Sequence, residues 1–82
     1  MVPEDLTAIV RRVVNRIGYG HLSVHTQYAL RQTWCVCTVI VGRDGRLIRR
    51  VADAVGEKVG HQQVTVRADR VMVRMRSDVE FR

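Results

Sequence analysis

Arg43, Arg46, Arg49 and Arg50 crowd into one short segment, and two of them flank a glycine-bounded turn, Gly42-Arg43-Asp44-Gly45. The guanidinium is a planar fork of donors that matches phosphate oxygens two at a time. A turn that opens a helix adds unpaired backbone N–H groups and the positive end of the helix dipole, so it welcomes an anion. Glycines at such a turn let a phosphate backbone come close. The chemistry this segment offers is therefore binding of a polyanion, with Gly42, Arg43, Gly45, Arg46, Arg49 and Arg50 as the candidate contacts. The plain structural alternative is a strand-to-helix turn that needs glycine for its backbone angles.

The other reactive side chains make weaker patterns. Cys35 and Cys37 lie two apart, His21 and His25 four apart, and His61 stands alone. Structural zinc sites pair their ligands as C-x₂₋₄-C or H-x₃₋₅-H on suitable backbone. On strands, His21 and His25 would lie far apart and the two thiols would point the same way. We read the thiols as small buried hydrophobes and the histidines as surface residues, with no metal and no cofactor. No serine sits in a nucleophile elbow, no carboxylates cluster, and nothing ties a histidine to an arginine as a nuclease needs. The chain reads as a binding protein and not an enzyme. Trp34, Tyr19, Tyr28 and Phe81 are too scattered for an aromatic stacking platform, which leaves Trp34 to the core.

The elements that must position the arginine segment follow from periodicity. Leu6, Ile9, Val10, Val13, Val14 and Ile17 fall at helical spacing, so 3–17 is a helix with an acidic start and Gly18 at its end. The period changes to two over 21–30, where Leu22, Val24, Thr26, Tyr28 and Leu30 form one buried face of a strand. After a turn at 31–33, Trp34 to Val41 is apolar on both faces, which predicts a central strand covered on both sides. Helical spacing returns over 46–59 with Leu47, Ile48, Val51, Ala52, Val55 and Val59 inward and Arg46, Arg49 and Arg50 outward. Strands over 63–67 and 71–76 follow, with Val64, Val66, Val71, Val73 and Met75 inward. The expected fold is α+β in the order α-β-β-α-β-β, a small, mostly antiparallel sheet with two helices on one face. Residues 1–82 make one domain, with 76–82 a loose tail.

Gly42-Arg43-Asp44-Gly45, followed by Ile48, Val51, Gly56 and Val59, resembles the core of the KH family of RNA-binding domains, and of its short bacterial single-domain members in particular. In that family a GxxG loop precedes apolar residues at such intervals and clamps about four nucleotides of single strand. The resemblance implies that Gly42, Arg43, Gly45 and Arg46 meet the nucleic-acid backbone while Ile48 and Val51 line an apolar floor. RNA is then the expected partner ahead of DNA.

Composition bounds these readings. The chain has 82 residues, 46% hydrophobic and 27% charged, which is globular balance. The net charge is +6 and Lys58 is the sole lysine. A positive field attracts polyanions whatever produced it, although a GC-rich genome also enriches arginine. A domain of this size hides only about 60% of its unfolded surface, so a homodimer that shares a sheet face is a natural remedy for a thin core. That supplies the alternative function: a homodimeric interaction, assembly or regulatory module, such as a bacterial or phage accessory protein, with no nucleic-acid role. Two cysteines do not make a staple framework, and 1–5 is acidic without an apolar signal core, which places the chain in a reducing cytoplasm. No stretch approaches the ~18 apolar residues of a membrane span.

Overall fold

The computed structural model describes residues 6–29 and 33–76. Helix α1 (Leu6–Arg16) is followed by strands β1 (Ser23–Ala29) and β2 (Trp34–Ile40), helix α2 (Gly45–Val59), a single 3₁₀ turn (His61–Gln63) and strands β3 (Val64–Val66) and β4 (Arg70–Arg76). The strands form one antiparallel sheet in the order β1-β2-β4-β3. The expected α-β-β-α-β-β order and α+β class are therefore observed. Residues 1–5, Leu30, two of the three residues of the expected 31–33 turn, and 77–82 lie outside the described residues. Arg76, where the expected last strand and the expected tail meet, closes β4 opposite Trp34.

The core lies between the two helices and one face of the sheet. From α1 it takes Leu6, Ile9, Val10, Val13 and Val14, and from α2 Ile48, Val51, Ala52, Val55 and Val59. The sheet contributes Val24, Cys35, Cys37, Val39, Val71, Val73 and Met75. Strand alternation puts all of these on one face: Val24 is opposite Val39, Cys37 opposite Val73, and Val39 opposite Val71. Both thiols are buried here, packing as small hydrophobes, and Cys35 donates to the Met75 carbonyl at 3.5 Å.

Three sequence expectations are corrected. β2 is central in the sheet, but the helices cover only one of its faces. On the other, Trp34, Val36 and Ile40 are half-buried and Thr38 alone is buried. Trp34 thus belongs to the helix-free face and not to the core. Tyr28 lies on the helix side but is 54% exposed. Thr26, two residues earlier, already hydrogen-bonds Thr7 in the first turn of α1, so Tyr28 runs past the described end of that helix. Val66 is 51% exposed because β3 is an edge strand whose last residue stands at the lip of a groove beside α2.

These differences set a stability test. Ile9 is 1% exposed, so Ile9→Val should cost about 1 kcal/mol. That lowers the thermal midpoint by roughly 4–8 °C in a domain of this size. Val66→Thr, at a position that sequence had assigned to the core, should stay within about 0.5 kcal/mol of the parent. Thermal unfolding followed by circular dichroism reads both.

Candidate nucleic-acid interface

The turn between β2 and α2 is built by two short devices. The amides of Val41 and Gly42 both donate to the Asp69 carbonyl at 2.9 Å, which ties the turn to the one between β3 and β4. Gly42 then adopts φ 93, in the left-handed region where a side chain is strained. Asp44 follows as the N-cap of α2, extended at φ −119, and its carboxylate accepts from the amides of Arg46 and Leu47 at 3.1 and 3.2 Å. No helix intervenes between β2 and the turn.

The cap changes the expected chemistry. Sequence reading took the helix N-terminus as a source of free backbone donors for an anion, but the Asp44 carboxylate already engages two of them. An aspartate just ahead of a helical run is itself a cap signal, and Asp44 stands three residues before Leu47, the first apolar residue of that run. What the site presents to an outside anion is therefore its side chains. Arg43, Arg46, Arg49 and Arg50 are all exposed. The structure brings all six candidate residues together over the turn and the first two turns of α2.

The rest of the arginine content sorts by partner. The Arg11 guanidinium donates to the Val24 carbonyl at 3.2 Å and tethers α1 to β1. Arg70 pairs with Asp69 through two hydrogen bonds of 2.9 and 3.2 Å. That guanidinium, helped by the charge of Arg43, holds the Asp69 carboxyl below its ordinary value, and Asp69 in turn raises Arg70. Arg74 sits over the Trp34 ring. Among the described residues, the side chains of Arg46, Arg49 and Arg50 make no hydrogen bond or ion pair.

Their placement works against the helix that carries them. The start of a helix favours acidic side chains, yet α2 has none in its first turn and has Arg46 there instead. Arg46 and Arg50, four residues apart, repel at about 0.2–0.5 kcal/mol. The acids Asp53 and Glu57 come only afterwards, toward the end where cations would be favoured. Gly45 adds a second oddity. Its φ is not left-handed and a Cβ there would touch nothing within 4 Å, so the fold has no need of glycine at this position. Gly56 differs, because the His61 ring occupies the space its Cβ would need.

Beside this face runs a groove of about 400 Å³ whose α2 wall is Gly45, Ile48, Arg49, Ala52 and Asp53 and whose other wall is Val66, Arg67 and Ala68. Ile48 lines this groove, whereas Val51 is fully buried in the core beneath. Arg67 was treated by sequence as an ordinary solvent-facing residue. Its place in the groove depends on the pairing of β3 with β4, which local sequence does not reveal. The histidines His21, His25 and His61 are exposed, and His25 lies on the opposite sheet face from Cys35 and Cys37.

Comparison of the chain with protein-family models, with curated proteins and with solved structures finds no match. The local geometry stands by itself. No helix among the described residues is long and apolar enough to cross a membrane.

The cap and the glycine make opposite predictions for stability. Asp44→Ala should cost about 1 kcal/mol, because two amides lose their acceptor. Gly45→Ala should cost nothing and gain up to about 1 kcal/mol, since alanine fits the space and restricts the unfolded chain. Urea unfolding of the two variants checks the pair.

Proposed function

We propose that the protein binds single-stranded nucleic acid, RNA in preference to DNA, by laying the phosphate backbone along Gly42–Gly45 and the Arg46, Arg49 and Arg50 face of α2. The observation that carries this reading is the set of exposed arginines at the start of α2 whose side chains make no hydrogen bond or ion pair among the described residues. Side chains that cost stability and have no internal partner are accounted for by a ligand that uses them. A polyanion is that ligand by charge.

Gly45 supports the same reading. A glycine without a conformational or packing requirement is explained by the close approach of another backbone. The groove between α2 and β3 gives the strand a path, with Arg49 and Arg67 on its two walls. Asp44 has its own place in this account. Its charge is spent on the helix cap, and it faces the amides of Arg46 and Leu47. The resemblance of the segment to the KH pattern favours RNA and a short single-stranded footprint.

The test is a titration of labelled single-stranded RNA, single-stranded DNA and duplex at two salt concentrations. Affinity should fall with salt at about −0.7 per phosphate engaged, which gives a slope near −3 if Arg43, Arg46, Arg49 and Arg50 all take part. The double variant Arg46→Glu with Arg49→Glu should abolish binding. Because acidic residues suit this end of a helix, its thermal midpoint should equal or exceed that of the parent. Salt-independent binding, or none by the parent protein, contradicts the proposal.

A further inference from the structure

We propose that the helix-free face of the sheet carries a second contact for the same strand: a subsite in which an unpaired nucleobase stacks on Trp34. The inference rests on the nucleic-acid reading above and adds what that reading lacks, a means of preferring unpaired bases to duplex.

The face is defined by strand register. Ala29 stands opposite Trp34, Gln27 opposite Val36, and His25 opposite Thr38. From β4 come Arg70, Met72, Arg74 and Arg76, opposite Ile40, Thr38, Val36 and Trp34. Across this face, from Ala29 on β1 to Thr65 on β3, runs a depression of about 500 Å³ with Trp34, Val36 and Met72 as apolar lining and Arg67 and Arg74 beside them. The Arg74 guanidinium lies 5.0 Å from the centre of the Trp34 ring. Arg74 is exposed and, among the described residues, held only by its contact with the indole, so a base can take its place there while the guanidinium turns to the adjoining phosphate.

Charge selects the occupant. No described strand residue on this face is acidic, and Arg70, Arg74 and Arg76 share one strand. A second copy laid face to face would bring these cations against their like. A polyanion meets them with the opposite sign. Position supplies the link to the α2 site. Arg67 lines both the groove beside α2 and the depression around Trp34, and it does so at the edge strand β3. A strand leaving the α2 arginines can thus pass Arg67, turn round the sheet edge and reach Trp34, with Asp53 on the α2 wall and Asp69, paired with Arg70, as the acids beside that path.

Trp34 is the only tryptophan in the chain, so its fluorescence reports this subsite directly. Labelled oligouridylate is titrated with the parent protein, reading the anisotropy of the label and the emission of Trp34 in parallel. Quenching should saturate together with the anisotropy, and duplex RNA should bind without quenching. Trp34→Leu should weaken oligouridylate binding by about 5- to 100-fold and leave duplex binding within about 2-fold, and Trp34→Phe should restore most of the loss. Should Trp34→Leu fail to fold, Arg67→Ala and Arg74→Gln serve in its place and should each weaken single-strand binding several-fold. Binding without quenching, or replacement variants that bind oligouridylate like the parent, overturns the stacking subsite while leaving the α2 site standing. A Trp34 emission shift driven by protein concentration alone overturns it in favour of a second copy on this face. No binding of any oligonucleotide removes both proposals at once.

Discussion

Everything in this domain hangs on one sealed layer, the contact of two amphipathic helices with a single face of a four-stranded sheet. Ile9, Val10 and Val14 of α1 and Val51 and Val55 of α2 close over Val39, Val71 and Val73, and each of these is almost wholly removed from water. Most of the layer is valine. The short branched side chain suits the strands and keeps the interlayer thin, and it leaves little surplus hydrophobic energy for tolerance of error. Because the layer consumes both helices, the second face of the sheet receives neither. The half-buried, helix-free side of β2, with Trp34, Val36 and Ile40, follows from that arithmetic of elements and not from any local defect.

The same constraint determines where charge can go. α1 and α2 must turn their apolar stripes to the sheet, so their arginines are driven outward. On α1 one of them, Arg11, is recruited to hold the β1 backbone. On β4, Arg70 is committed to Asp69 and Arg74 to Trp34. At the start of α2 the arginines are left without internal use, over a turn that is itself anchored to the Asp69 carbonyl. A rigid, cationic helix start beside an open sheet edge is the arrangement from which binding is argued. The anchoring of the turn matters as much as the charge, since it lets the guanidinium groups project from a fixed platform.

Much of this was legible in the residues. The stripe Leu6, Ile9, Val10, Val13 and the run Ile48, Val51, Ala52, Val55 have unmistakable helical spacing, and both helices, all four strands and their order were readable. The helix start at Gly42–Gly45 was readable as well, because glycine and aspartate punctuate it. What escaped was everything that depends on which strands become neighbours. Trp34 looked like core because β2 is apolar on both faces, although two helices on one side, as expected from their stripes, leave its face uncovered. Val66 looked inward by alternation, but alternation does not tell an edge strand from a central one. Arg67 and Arg74 gain their meaning from the β3–β4 pairing and from the diagonal reach of Arg74 to Trp34. The role of Asp44 was missed for a different reason: its charge was weighed against a ligand before its carboxylate was weighed against its own helix.

The central claim is that the start of α2, and not the arginine content at large, is where a nucleic-acid strand meets this protein. Amide chemical-shift mapping during titration with oligouridylate tests it most directly, because every arginine-bearing surface is read in one experiment. The account predicts shifts concentrated at Gly42–Arg50, at Arg67 and around Trp34 and Arg74, with the amides of Arg11, Arg12 and Arg16 on α1 unmoved. Shifts centred on α1, or small shifts spread evenly over all the arginines, would contradict it.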